Sequence, residues 1–343
     1  MKTPLDTTSR NIYEVITGAF WGGAWLVAIC LLVSIYILKW WPGDRLMIVR
    51  LVNYTMPWLL IVLLPTFILA GVTNRRWLLL TLAMSVIYVV LAYLPLFLPK
   101  NNLPAQTSGF KLKVMSYNIW SRNLDMTSIA RVIKAEDPDL LLLQELPNEK
   151  TDNIAALLDN IFPNTGEHFI YDSKSLLATF SRFPLTSEQL DRKRSVQRLL
   201  VHTPAGPVTI FNVHFLRTVL RRGDHWQRTH GKITGLVNNE IAEISGPVIM
   251  GGDFNITEQT ETYRQICKSM KNAHSQAGRG FGFTFPSRSR KLKGMLTLPP
   301  MIRIDHLFYN DSLLAYNAAT LSDSGQSDHL PIVAEFILHP LKD

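Results

Sequence analysis

Three stretches of this chain, residues 15–38, 51–74 and 77–99, contain no Asp, Glu, Lys or Arg. Each exceeds the ~20 apolar residues needed to cross a hydrocarbon core. The first run is too long for the apolar core of a signal peptide, and no small-residue cleavage site follows it. Trp40 and Trp41 close it, as aromatic side chains do at a membrane interface. Pro57 and Pro65 interrupt the second run, which a helix in lipid tolerates better than a helix in water. The third ends at Pro95 and Pro99. Three buried helices of a soluble core are the alternative. Uncharged runs this long, back to back, favour a three-span anchor over residues 1–99.

Charged residues make up only 18% of the chain, and the shortage is confined to the anchor. Residues 1–109 hold eight basic and three acidic residues, and the remainder hold 27 and 24. The net charge of +8 is therefore weak evidence for a polyanionic partner, because the anchor supplies most of it. Cys30 and Cys267 provide no disulfide framework. Three spans put the two ends of the chain on opposite sides of the bilayer. Basic residues beside the spans nearly balance, but Trp40 to Asp44 reads as an outer loop and Arg75-Arg76 as cytoplasmic. The expected placement is a cell membrane with the C-terminal domain outside the cytoplasm. Residues 100–109 form a polar linker of ~10 residues, which reaches at most ~35 Å, so this domain works close to the bilayer.

From Phe110 to Asp343 the sequence reads as a globular domain of mixed strands and helices. Strands are predicted over 111–117, 140–143, 176–180, 199–202, 208–214, 248–253, 302–309 and 332–338. Helices are predicted over 126–135, 154–158 and 233–244. Many connections are of hairpin length, which favours a two-sheet, four-layered α/β sandwich over a doubly wound parallel sheet.

Six strand ends carry polar residues: Asn118, Glu145, His214, Asp253 with Asn255, Asp305, and Asp328 with His329. A strand that simply meets solvent explains any one of them. It explains poorly a set made only of Asn, Glu, His and Asp. Alternation places Asp253 and Asn255 on one face, and Gly251-Gly252 permits a sharp turn with open space above it. Carboxylates with an amide oxygen are hard ligands suited to Mg²⁺ or Mn²⁺. Zinc is disfavoured, since Cys and closely spaced His are missing. A His beside an Asp manages protons or stabilises charge. Together these residues point to metal-assisted hydrolysis of a phosphoester.

The series Ser116-Tyr117-Asn118, Leu143-Gln144-Glu145, Asn212-Val213-His214, Gly252-Asp253-Phe254-Asn255, Arg303-Ile304-Asp305-His306 and Ser327-Asp328-His329-Leu330-Pro331 resembles the endonuclease/exonuclease/phosphatase superfamily, DNase I-like in fold. The resemblance covers about residues 110–340, and the spans ahead of it resemble membrane-anchored bacterial members. It implies Glu145 as principal Mg²⁺ ligand, with Asn118 beside it and Asp328 supporting the metal region. It implies Asp253 orienting or deprotonating the attacking water, with Asn255 holding water and phosphate. His329 would contact the scissile phosphate, Asp305 would fix its tautomer, and His214 would bind a phosphate oxygen. Either Asp253 or His329 would accept the proton.

Arg192-Lys193-Arg194 with Arg198, the group Arg217, Arg221, Arg222, Arg228 and Lys232, and the group Arg288, Arg290, Lys291 and Lys293 are basic clusters. The last two flank catalytic strand ends, where they would grip a polyanion or anionic headgroups. Phe283 and Phe285 are expected near the same rim, to stack on a base or enter lipid. Arg217, Arg221, Arg222, Phe283 and Phe285 are therefore the substrate-binding candidates. His306 follows Asp305 on the opposite strand face and reads as structural. Three functions follow: a nuclease near the membrane, a lipid or headgroup phosphodiesterase or phosphatase, and a catalytically idle scaffold. The last is disfavoured because every expected catalytic residue is present.

Overall fold

The structure, a computed structural model, describes residues 4–41, 43–98, 109–163, 167–188, 196–217, 219–220, 230–289, 291–292 and 296–338. It divides into two units, Met1–Leu94 and Pro95–Asp343.

The first unit holds α1 (Pro4–Val33), α2 (Met47–Thr55), α3 (Leu59–Val72) and α4 (Arg76–Tyr93). Three helical segments, Ile12–Leu38, Met47–Val72 and Arg76–Leu96, are long and apolar enough to cross a membrane. The second begins earlier than the uncharged run and includes Arg50. That guanidinium is buried and donates to the backbone carbonyls of Asp44 and Arg45, the kind of partner an intramembrane cation needs. Pro57 falls in a tight 3₁₀ turn, Met56–Trp58, that separates α2 from α3, whereas Pro65 is accommodated inside α3.

The second unit carries fourteen described strands: β1 (Phe110–Asn118), β2 (Leu140–Gln144), β3 (Phe169–Asp172), β4 (Leu177–Ser181), β5 (Leu185–Glu188), β6 (Val196–Thr203), β7 (Gly206–His214), β8 (Val248–Asp253), β9 (Lys271–Asn272), β10 (Lys291–Leu292), β11 (Leu296–Thr297), β12 (Asp305–Tyr309), β13 (Leu313–Thr320) and β14 (Ile332–Leu338). Its helices are α5 (Met126–Glu136), α6 (Thr151–Leu158), α7 (Lys232–Glu243), α8 (Glu261–Ile266) and α9 (Ala273–Ala277). One six-stranded sheet runs β13-β14-β1-β2-β4-β3 and the other β5-β6-β7-β8-β12-β9.

Alternation along the strands builds the layers. Leu112, Val114, Leu140 and Leu142 of one sheet meet Leu199, Val201, Ile210 and Ile249 of the other in a buried core. Their neighbours Met115, Tyr117, Leu141 and Leu143 point the other way, onto Ile129, Ile133, Ile154 and Leu158 of α5 and α6. On the second sheet Phe211, Val213, Val248 and Met250 pack beneath Val237 and Ile241 of α7. The result is the helix–sheet–sheet–helix sandwich expected from the strand pattern.

β1 runs parallel to β2, and β7 runs parallel to β8, so within each sheet both strands of the pair end at the same edge. The predicted strand over 302–309 starts only at Asp305, and Ile302 forms a lone bridge to Phe285. β3, β5 and β13 were not expected. β3 and β5 are sheet edges with no buried face running their full length. In β13 an irregularity between Ala315 and Asn317 breaks the alternation that sequence reading relies on.

Candidate active site

Six segments meet where β1, β2, β7 and β8 end. Asn118 closes β1, and its Nδ2 donates to Glu145 Oε1 at 3.2 Å and to Asp253 Oδ2 at 3.0 Å, a contact that joins the two sheets. Glu145 stands just past β2 with φ +58°, a left-handed conformation that costs a non-glycine residue roughly 1–3 kcal/mol. Ser121 holds the resulting direction, its N–H and hydroxyl donating to Oε2 at 3.0 and 3.1 Å.

Asp253 ends β8. Asn255 lies beyond the strand at φ +50°, so the two side chains meet through a left-handed turn and not through strand alternation. The Asn255 backbone N–H donates to Asp253 Oδ1 at 2.9 Å, and its Nδ2 to Oδ2 at 3.1 Å and to the Phe215 carbonyl at 2.8 Å. Gly252 serves the neighbouring strand and not open space. At φ +151°, a Cβ there would lie 1.8 Å from the Val213 carbonyl oxygen.

His329 Nδ1 donates to Asp305 Oδ2 at 2.9 Å, which leaves Nε2 facing Asp253 Oδ2 at 3.8 Å and Asp328 Oδ1 at 4.0 Å. His214 Nε2 sits 3.6 Å from Glu145 Oε1 and 3.8 Å from Asp253 Oδ2. Every one of the eight predicted catalytic and metal residues is thus linked to this cluster. Burial pushes the Asp253 carboxyl up to about 8, against the pull of His329. Burial also works against a charged His329, yet Asp305 and Asp253 outweigh it and raise the imidazole to about 10. Burial lowers His214, with Glu145 opposing. Burial would raise Glu145, but the Ser121 N–H, His214 and Asn118 carry it below its ordinary value.

The donor set fits a hard divalent cation. Asp253 and Asp305 each offer an oxygen in a group with His329 that lies within 4.8 Å, the cationic imidazole leaves ligation to the carboxylates, and Glu145 adds the more exposed one, at 25% of its side-chain surface. Asn118 presents Nδ2 to this group, while its Oδ1 accepts the Trp120 N–H at 3.0 Å. Ligation through Oδ1 therefore requires the amide to turn over.

Phe285 packs on His329 with ring centres 4.9 Å apart, and the Arg217 guanidinium lies 5.2 Å from the centre of the Phe285 ring. Phe283 stacks on Phe281 at 4.8 Å. Arg221 and Arg222 lie outside the described residues. Arg198 is not an open cation: Glu188 and Glu240 hold it at 2.8 and 2.6 Å.

Sequence reading missed the supports. Ser327 Oγ donates to the Asn118 carbonyl at 2.6 Å and accepts the His329 N–H at 3.1 Å. Behind the site Gln144 Nε2 donates to Asn212 Oδ1 at 2.8 Å, and Asn212 Nδ2 reaches the carbonyls of Leu143 and Ala178 at 3.2 and 3.0 Å. A polar residue at an inward strand position, beside Glu145 in one case and two before His214 in the other, was the available signal.

A four-layered sandwich with carboxylates, amides and two histidines at the strand ends defines a metal-dependent phosphoester hydrolase. The profile of the Endonuclease/Exonuclease/phosphatase family matches residues 115–329, and the chain belongs to that family. Among solved structures it is similar to an endonuclease/exonuclease/phosphatase from Bacteroides vulgatus (TM-score 0.52, 18% identity, 67% of this chain and 100% of that one). A family protein from Bacteroides thetaiotaomicron is similar at TM-score 0.54 and 16% identity, over 68% and 99%. So is a mannosyl-6-phosphatase from the same species, at 0.51 and 16%, over 66% and 100%. At these identities the likeness establishes the fold. No curated protein sequence matches the chain.

Proposed function

We propose that the chain is a membrane-anchored, Mg²⁺-dependent phosphodiesterase, held by three spans in a bacterial inner membrane with its catalytic unit outside the cytoplasm. The observation that carries the reading is the convergence of Glu145, Asn118, Asp253, Asn255, His214 and the Asp305–His329 pair from both sheets. Glu145, with Asn118 turned over and Asp328 nearby, would hold Mg²⁺ or Mn²⁺. When bound, the ion supplies a positive charge that polarises the phosphate and offsets the charge developing on it.

The protein's own groups do the rest. Asp253, whose buried carboxylate is a stronger base than a free one, accepts the proton from water in its ionised form. Asn255 keeps that carboxylate in register. His329, cationic and fixed through Nδ1 by Asp305, directs its Nε2–H at a phosphate oxygen or the leaving group. His214 lies opposite and donates to a second phosphate oxygen. Arg217, outside Phe285, meets the portion of the substrate beyond the scissile bond.

The test uses the full-length protein purified in detergent. Hydrolysis of bis(p-nitrophenyl) phosphate is expected to stop with EDTA, return with Mg²⁺, and fall by about 10²–10⁴ in His329→Ala and Asp253→Ala. Near-normal turnover by either variant, or full activity in EDTA, sinks the assignment. A reporter fused to the C-terminus and active only in the cytoplasm sinks the proposed orientation.

A further inference from the structure

Among the described residues 109–338, the large apolar side chains that remain exposed are Leu124 at 86%, Leu216 at 54% and Leu220 at 70%. Single exposed leucines are ordinary on soluble proteins. These three are not scattered. Leu124 lies on the loop that leaves β1 after Asn118, and Leu216 and Leu220 lie on the loop that leaves β7 after His214.

The described residues of both loops are bound into the site. The first supplies the Ser121 N–H to Glu145, and Lys150 Nζ ties it down through the Ser121 carbonyl at 3.0 Å. The second places Arg217 on Phe285, which rests on His329. One loop leaves each sheet at a catalytic strand end, after Asn118 in one case and after His214 in the other. Exposed cations sit beside them: Arg122 two residues before Leu124, and Arg217 next to Leu216.

We infer that this apolar, cation-bearing rim enters the headgroup layer of a bilayer, and that the substrate is a membrane phospholipid whose phosphate is drawn between the two loops. The inference rests on the phosphoesterase reading of the site and specifies its substrate class. Leucine tips with arginines beside them are the composition of an interfacial binding surface: the apolar ends enter the acyl boundary and the guanidinium groups meet lipid phosphates. A nucleic acid asks for cations and stacking rings at such a rim, and gives no reason for exposed leucines. The chain's own apolar segments and the short linker at 100–109 supply the bilayer. In the reaction the oxygen of water bonds to phosphorus and one ester P–O bond breaks. The departing oxygen leaves as an alcohol with one of the water's protons, and no electrons are transferred.

The test uses the full-length protein reconstituted in vesicles of phosphatidylethanolamine and phosphatidylglycerol with Mg²⁺. Three probes are compared: vesicle phospholipid, bis(p-nitrophenyl) phosphate, and a single-stranded oligodeoxynucleotide. The wild type is expected to hydrolyse the lipid. The combined Leu124→Ser, Leu216→Ser, Leu220→Ser variant is expected to lose about tenfold or more of lipid turnover and keep its activity on the soluble diester. Retained diester hydrolysis also reports that the variant folds. Undiminished lipid turnover by the variant overturns the inference, as does cleavage of the oligonucleotide without the lipid. Hydrolysis of none of the three overturns the phosphoesterase reading itself. A second measurement does not depend on the triple variant: the fluorescence added by Leu124→Trp is expected to be quenched by brominated acyl chains, and no added quenching refutes insertion.

Discussion

Acidifying this protein from pH 7.5 to 5.0 will weaken its catalytic unit through His306. The ring is fully enclosed, with Nε2 donating to the Ile256 carbonyl at 2.9 Å and Nδ1 accepting from Asn272 Nδ2 at 3.3 Å. Phe254, Tyr263 and Phe308 surround it. Both nitrogens are satisfied only in the neutral ring, and burial, with Arg303 adding to it, lowers the imidazole from 6.5 to about 3. The unfolded chain therefore binds a proton that the folded one refuses. The stability His306 provides is complete above its unfolded value and is lost as pH falls toward the folded one, by ~1.4 kcal/mol per unit. At pH 5.0, about 1.5 units below the unfolded value, the loss is about 2 kcal/mol. His306→Gln removes this dependence whatever its fixed cost. The assay is urea unfolding of the full chain in detergent at both pH values, wild type against variant. Other titrating groups, the lowered His214 and the raised His329 included, act in both proteins and largely cancel in the difference. The wild type's advantage should shrink by about 2 kcal/mol between pH 7.5 and 5.0. An advantage constant to within a few tenths of a kcal/mol refutes the reasoning.

Two further outcomes are expected. Asp305→Asn takes from His329 the negative charge that keeps the imidazole cationic and its tautomer fixed, and turnover of bis(p-nitrophenyl) phosphate should drop by about 10²–10⁴ with little change in KM; an unchanged kcat counts against the pairing. Asn212→Leu takes the 2.8 Å acceptor from the Gln144 amide and the donor from the Leu143 and Ala178 carbonyls, and should cost about 1–3 kcal/mol in the same urea assay, while adding Gln144→Leu should restore part of it; strictly additive losses would show that the two amides do not act together.

The layers and the ends of the central strands were legible because each is a buried apolar run stopped by a polar residue, as in Leu140–Gln144 before Glu145. Proximity was legible only through the resemblance, since no local pattern says that residue 118 meets residue 253. What sequence reading lost lies where local patterns fail. Asn255 comes back to Asp253 through a positive φ that alternation does not encode. Ser121, Ser327 and Thr284 look like loop residues, yet each fixes a catalytic segment; the Thr284 hydroxyl accepts the Asp305 N–H at 3.3 Å. Arg198 read as part of an open basic cluster because its two carboxylate partners are distant in sequence or across a strand pair.

β1 lies between β2 and β14, pairing with the second strand of its sheet and with the last strand of the domain. During synthesis β1 thus emerges first and waits with one edge open while the rest of the unit is made. Asn118 and Glu145 exist early, but His329 arrives with the segment that leads into β14. A chain stopped anywhere before that point lacks His329 and leaves β1 with one edge unpaired. The order of the strands means that the site is complete only when the last strand of the unit is in place.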